Sequence, residues 1–303
     1  MQNHLFKKIV NFCLRRYKWY VTHVKARKIF QEYDILDSFA SIQYILDNKC
    51  SVSRYGDGEL SFFCGGEIGY QEINDQLIER LKHILRAKDA PNHIIGIPYF
   101  LKNVDGTVKL TREFWGDIVC KYGKQWSEYI PSDKQYIDTQ ISRFYIEYSD
   151  YNRSTRQLQM LKRIWHDRDV VIIEGSQSRT GIGNDLYDNA RKIERVIGYP
   201  KNGYSHYNEM LSAIKDCVRP EEGKLLLLSY GPTATILAYD LAKLGYQAID
   251  IGHLDIEYEY YRNKKQEGGI VKGKYTNEAQ GGDVVDECSD TRYLSQIICD
   301  ITK

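Results

Sequence analysis

At 303 residues, with 42% hydrophobic and 27% charged side chains, the chain has material for a packed core in one large domain or two modest ones, and its composition excludes a disordered chain. The formal net charge of +1 conceals an asymmetry. Residues 1–30 carry eight Lys or Arg and no acid, leaving 34 basic against 41 acidic residues in the rest, so a nucleic-acid partner is not expected for an acidic body without a recognisable binding module.

Seven cysteines, at 13, 50, 64, 120, 217, 288 and 299, form no Cys-x-x-Cys pair and no zinc-type Cys/His spacing. No secretory signal with a small-residue cleavage site precedes them, and the expectation is a reduced, cytoplasmic setting.

In the basic tail Phe6, Ile9, Val10, Cys13, Tyr17, Tyr20, Val21 and Val24 recur at three- and four-residue spacing, which predicts an amphipathic helix within residues 1–33. Its charges interrupt every apolar run, so it is too broken to span a bilayer. Two readings stand: a helix lying on the inner face of the cell membrane, drawn to anionic headgroups by roughly 1 kcal/mol per cation, or a helix packed on the body. Residues 34–303 are expected to form the second unit, the main domain.

Past the tail, apolar runs alternate with helical patterns, which predicts an α/β architecture. Helices are expected over 37–48, 71–87, 111–130 and 153–167, and strands over 50–54, 93–99 and 135–142. Val170-Val171-Ile172-Ile173 and Leu225-Leu226-Leu227-Leu228 have the continuous apolar pattern of parallel strands buried on both faces, each followed by a glycine-bearing turn and a helix. A further strand is expected over 248–252. Ligands of such sheets bind at the carboxyl ends of the strands, where the polar motifs of this chain fall.

The first motif is Ser53-Arg54-Tyr55-Gly56-Asp57-Gly58-Glu59. In an extended or turning segment the side chains of Asp57 and Glu59 would point the same way and could share one cation, while Gly56 and Gly58 permit a sharp turn and close ligand approach. Asp-Gly is equally an ordinary turn signal, and paired acids are often only solvated.

The second motif, Glu174-Gly175-Ser176-Gln177-Ser178-Arg179-Thr180-Gly181-Ile182-Gly183-Asn184-Asp185, offers amides, hydroxyls and a guanidinium to an anion such as phosphate. The alternative is a strand-to-helix loop capped by Asn184 or Asp185. In the third, Gly231-Pro232-Thr233-Ala234-Thr235, a turn places Pro at a first helical position, and Thr233 and Thr235 could cradle a diphosphate or merely cap the helix. The fourth sets His253 at a strand end with Asp255, Glu257 and Glu259 close behind, a candidate metal ligand or general acid among carboxylates.

Together Arg54-Tyr55-Gly56-Asp57-Gly58-Glu59, Glu174-Gly175 with Ser178-Arg179 and Gly183-Asn184-Asp185-Leu186, Gly231-Pro232-Thr233-Ala234-Thr235, and Asp250-Ile251-Gly252-His253 with Asp255-Ile256-Glu257-Tyr258 resemble the bacterial GT-D glycosyltransferases, formerly a domain of unknown function, over roughly Asp37 to Glu278. The resemblance implies a Rossmann-like fold with a mostly parallel sheet flanked by helices. It also implies a UDP-sugar donor, with UDP-glucose the first candidate, and a divalent cation, Mn²⁺ or Mg²⁺, at the Asp-x-Glu motif matched by Asp57-Gly58-Glu59. The acceptor is expected to be a glycan or lipid-linked glycan of surface polysaccharide or glycoprotein synthesis.

On that reading Asp57, Glu59 and His253 serve the cation or the leaving phosphate. Arg54, Gly56, Glu174, Ser178, Arg179, Asn184, Gly231, Pro232, Thr233 and Thr235 serve the donor, and Asp255 and Glu257 are the candidate general bases. Arg143 and Lys274-Tyr275-x-Asn277-Glu278 are further candidates to complete the site. Two rival functions, a nucleotide-sugar hydrolase and a non-catalytic partner subunit, fit the same residues.

Overall fold

The structure, a computed structural model, describes residues 2–303, with side chains described except at positions 2–9, 11, 15 and 18. Phe6 and Ile9 of the expected apolar stripe, and the cations Lys7, Lys8, Arg15 and Lys18, therefore have side chains outside the described set.

The chain opens with helix α1 (Gln2–Arg27), followed by strand β1 (Asp34–Ile35). Helix α2 (Ser38–Asn48) starts where the Asp37 carboxylate accepts the amides of Phe39 and Ala40. Strand β2 (Ser51–Arg54) runs into the short helix α3 (Asp57–Phe62). Helix α4 (Asp75–Arg86), capped by Asn74, buries Leu77, Leu81, Ile84 and Leu85 at helical spacing. The apolar periodicity suggested a start at residue 71, but Gln71 is bridged to Ile68 and the cap sits at Asn74.

Strand β3 (His93–Ile97), helix α5 (Lys109–Tyr129) and strand β4 (Gln135–Asp138) follow. The expected strand to residue 142 stops at Asp138, whose side chain accepts the Gln140 amide and turns the chain into a 3₁₀ segment, Thr139–Ser142. Next come helix α6 (Tyr151–Lys162), strands β5 (Asp169–Gly175) and β6 (Lys192–Gly198), helix α7 (Tyr207–Cys217), and strand β7 (Leu225–Ser229). Helix α8 (Pro232–Lys243), strand β8 (Gln247–Asp250), helix α9 (Leu254–Arg262), helix α10 (Thr291–Gln296) and strand β9 (Ile297–Asp300) complete the chain.

The strands form one nine-stranded sheet in the order β1-β4-β3-β2-β8-β7-β5-β6-β9, with every pairing parallel. Alternation along the central strands explains the continuous apolar runs. Val170, Ile172, Leu225 and Leu227 feed the core on one face, and Val171, Ile173, Leu226 and Leu228 feed the core on the other.

One expected element is absent and one strand was not foreseen. The loop after β5 opens onto no helix: residues 176–191 are turns and irregular backbone leading directly into β6, which lies parallel beside β5. Strand β6 itself was hidden by Glu194 and Arg195, because Arg195 is buried and satisfied there by an ion pair to Glu174.

Helix α1 packs on α5 through one face, where buried His23 meets Asp117 (Nε2 to Oδ1, 3.0 Å), and Arg27 donates to the Phe100 carbonyl. Phe30 and Tyr33 belong to the same core cluster as Trp115 and Trp126 of α5.

The strand order reverses at β2 and β8. From β2 the chain moves outward to β3 and β4 on one side, and on the other it comes back through β7 to β8. The loops leaving β2 and β8 diverge there, which opens a crevice at the carboxyl ends of the strands.

Candidate active site

A cavity of 1160 Å³ occupies that crevice and takes its walls from the loops after β2, β4, β5, β6, β7 and β8. It is large enough for a nucleotide sugar.

After β2, the buried Tyr55 anchors the turn through its hydroxyl on the Leu81 carbonyl, and Gly56 caps α3. Asp57 and Glu59 are the first and third residues of this helix, so they are not the same-side pair that an extended segment would give: side chains two apart on a helix diverge. Glu59 turns back to accept the Gly56 amide at 2.8 Å, a capping-box bond, while Asp57 lies at the helix start. Both line the cavity. Burial raises the Asp57 carboxyl above its usual range, opposed by the positive charge of Arg143, and burial pushes Glu59 up to about 7.

Arg54 is built into the floor. Its Nη1 donates to the Thr139 carbonyl (2.9 Å) and Ser142 Oγ (2.7 Å), and its Nη2 pairs with buried Asp250 (3.1 Å). The guanidinium that was expected on a diphosphate is thus committed to joining β2, β4 and β8, although it still lines the cavity. Asp250 also accepts the Gly252 amide at 2.9 Å.

Arg143 crosses the cavity wall. It holds Glu278 with both Nη atoms (2.6 and 3.2 Å) and donates from Nε to Glu147 at 3.2 Å. Glu278 belongs to the strap 263–290, which has no regular element and is fastened below by the Tyr275 amide on the Gln177 carbonyl. His253, at the start of α9, places Nδ1 3.5 Å from Glu278 Oε1. Against desolvation, which raises it, the Glu278 carboxyl is held well below the usual range by His253 and Arg143.

Several expected ligand residues turn out to hold the walls instead. Glu174 is fully buried, ion-paired to Arg195 at 2.5 Å and bonded by the Thr180 amide. Arg179 donates to the carbonyls of Gly273 and Asp286, so its guanidinium ties down the strap. Asn184, with no helix to cap, bridges Asp255 and Glu259. Thr235 is buried and donates to the Arg54 carbonyl, while Ser53 donates to the Thr235 carbonyl, stitching α8 to β2. Thr233 is buried as well and lies off the cavity wall.

The candidate bases are similarly placed. Asp255 accepts from the Gly181 amide, Asn184 and Lys274 (Nζ at 2.6 Å), which uses both of its oxygens. Glu257 is buried behind the wall, where it accepts the amides of Tyr145 and Ile146, and burial pushes its carboxyl up to about 7.

Of the remaining candidates, Gly56, Ser178, Gly231, Pro232 and His253 line the cavity. Gly231 has φ of +55°, and a Cβ there would come within 3.1 Å of the Tyr70 ring, so glycine suits both the turn and the close approach.

The family model for the glycosyltransferase GT-D fold matches residues 52–279. The chain belongs to the GT-D glycosyltransferase family. It is 32% identical over 261 residues to glycosyltransferase GlyD of Streptococcus pneumoniae, covering 86% of this chain and 32% of that protein. It is 34% identical over 274 residues to the probable glycosyl transferase Gly of Streptococcus gordonii, covering 90% of this chain and 39% of that protein. The chain therefore spans about a third of the length of these curated relatives. A solved structure described as a distinct glycosyltransferase fold of domain of unknown function 1792 superposes with a TM-score of 0.85 at 33% identity, covering 92% of this chain and 99% of that one. A glycosyltransferase of Streptococcus sanguinis gives a TM-score of 0.82 at 31% identity, covering 88% and 99%.

Helix α1 lies outside the stretch matched to the GT-D model. Within that stretch the cavity includes Tyr70, Tyr199, Lys201 and Asn202, which sequence reasoning missed, and Asp250, which stood among the residues carrying the resemblance without being given a role. Asp250 carried a signal, an acid ending an apolar strand run two residues before a glycine. Tyr70, Tyr199, Lys201 and Asn202 sit in irregular loops whose spacing marks nothing.

Among the described residues no group of three or more His, Cys, Asp and Glu side chains is arranged to hold a metal ion. The donor set present, the carboxylates of Asp57 and Glu59, fits a different arrangement. Mg²⁺ and Mn²⁺ are oxygen-preferring ions, and Mg²⁺ is often bound by one or two carboxylates together with substrate phosphates rather than in an all-protein cage.

Proposed function

We propose that this GT-D chain transfers a sugar from a UDP-sugar, with UDP-glucose the first candidate, to a glycan or lipid-linked glycan acceptor in surface polysaccharide or glycoprotein synthesis. The observation that carries the reading is the convergence of six strand-end loops on one cavity at the β2/β8 reversal, with Asp57, Glu59, Arg143 and His253 on its walls. The relatives named as glycosyltransferases give the reaction class.

Departure of UDP concentrates negative charge on the diphosphate, and aimed cations and amides stabilise it. Asp57 and Glu59 would hold Mn²⁺ or Mg²⁺ together with the diphosphate, and the ion supplies Lewis-acid neutralisation of the leaving group. Arg143, on the wall beside Asp57, and His253 are the side chains we assign to the diphosphate oxygens. The turn at Gly231 and Pro232 brings the α8 N-terminus to the same cavity, where the positive end of the helix dipole favours an anion. Arg54 and Asp250 hold these groups in place rather than meeting the donor.

An inverting route needs a base for the acceptor hydroxyl. With Asp255 and Glu257 tied into the walls, Asp57 and Glu59 assigned to the cation, Asp250 paired with Arg54 and Glu278 held by Arg143, the other carboxylates on the cavity lining are Glu147, Glu267 and Asp283, and we assign the base to this group. The test is to incubate the purified chain with UDP-glucose, Mn²⁺ and candidate acceptors while measuring UDP, free glucose and glycosylated product. Product with stoichiometric UDP supports transfer. Free glucose independent of acceptor indicates hydrolysis, and neither UDP release nor UDP binding overturns the reading.

A further inference from the structure

We propose that the exposed stripe of α1 is a docking surface for an anionic lipid bilayer, which holds the mouth of the cavity at the membrane. The helix packs on α5 with the face bearing His23, yet the apolar stripe visible in the sequence is on another face. Val10, Cys13, Tyr17, Tyr20 and Val24 fall roughly 100° around the helix from His23. They are exposed, Tyr17 at 68% and Tyr20 at 62% of full accessibility. Exposed large side chains on one helix signal a partner surface rather than a core.

The chemistry of the stripe selects the partner. Residues 1–30 carry eight Lys or Arg and no acid, and Arg16, Lys25 and Lys28 are exposed beside the aromatic residues. Tyrosine and tryptophan next to cations suit the headgroup boundary of an anionic membrane. Among the described residues no helix is long and apolar enough to cross a membrane, so α1 would lie along the surface.

Its placement ties the surface to the site. His23 contacts Gly116 and Asp117, Arg27 lies beside Cys120, and Phe30 approaches Gly123, so α1 and α5 run in the same direction. Counting back, residue 16 is level with Lys109, where α5 begins, and earlier residues project about 20 Å beyond it. The first turns of α5 carry Leu110 and Phe114, exposed apolar residues on the lip of the cavity. The early turns of α1 and the lip of the cavity therefore lie at the same end of α5.

The test is cosedimentation of the full chain with vesicles of phosphatidylcholine alone or mixed with phosphatidylglycerol. Binding is expected to the anionic vesicles and not to the neutral ones, and it should fall as salt rises toward about 1 M. The combined variant Tyr17→Ser, Tyr20→Ser, Arg16→Glu and Lys25→Glu should bind about tenfold less while its unfolding midpoint stays within a few degrees of the parent. Equal sedimentation with both vesicles, none with the anionic ones, or a variant that binds like the parent overturns the proposal. So does a parent that ignores vesicles but forms a dimer that the variant abolishes, because the stripe would then face a second copy. None of these readouts uses a sugar donor, so they stand or fall apart from the transferase reading.

Discussion

The guanidinium of Arg54 occupies the space that a side chain on residue 252 would need: a Cβ on Gly252 would lie 1.8 Å from Arg54 Nη2. Residue 252 also has φ of +46°, where side chains are strained. Replacing Gly252 with Ala should therefore displace Arg54 and leave buried Asp250 without its cation. The expected loss is about 2 kcal/mol or more, read as a lower midpoint in denaturant unfolding.

Asp255 and Lys274 form a buried pair at 2.6 Å that fastens the strap to α9. Breaking it from either side strands a charge, so Asp255→Asn and Lys274→Met should each cost about 3 kcal/mol. The double variant should lose less than the sum of the two, and simple additivity in an unfolding cycle would show that the pair is not coupled.

Glu257 gives a pH signature. Its folded pKa is raised from 4.5 to about 7 by burial, so the stability tied to its neutral form is complete below pH 4.5 and is lost as pH rises through about 7. In Glu257→Gln that dependence should disappear. The difference between parent and variant stability should change by on the order of 1–3 kcal/mol between those pH values, and a constant difference would contradict the account.

How much of this was legible in the sequence follows from which residues signal to their neighbours and which act across the fold. Val170 to Ile173 and Leu225 to Leu228 announce buried parallel strands because both faces of each are covered. Strand β6 was not legible, since its buried Arg195 is tolerable only because Glu174 arrives from another strand. Asp57 and Glu59 do line the cavity, but the geometry of their segment was misread, because the Glu59 side chain capping Gly56 makes it a helix. Asp255 looks like a base by position, and only Lys274, nineteen residues on, shows it to be spoken for.

Arg143 was flagged only as an addition, yet it holds Glu278 with two bonds and lies close enough to Asp57 to oppose the effect of burial on that carboxyl. If it meets the donor diphosphate, Arg143→Met should raise KM for the UDP-sugar by about tenfold or more through loss of a charge-assisted contact. An unchanged KM would place Arg143 with the wall residues.

The central claim is that Asp57 and Glu59 hold the donor with its divalent cation in the β2/β8 crevice. The most direct measurement is UDP release from UDP-glucose with Mn²⁺ by the parent, Asp57→Asn and Glu59→Gln, after far-UV circular dichroism has shown all three folded. Release by the parent is expected, with a fall of about 100-fold or more in each variant. Variants as active as the parent, or a parent that neither binds nor releases UDP, would contradict it.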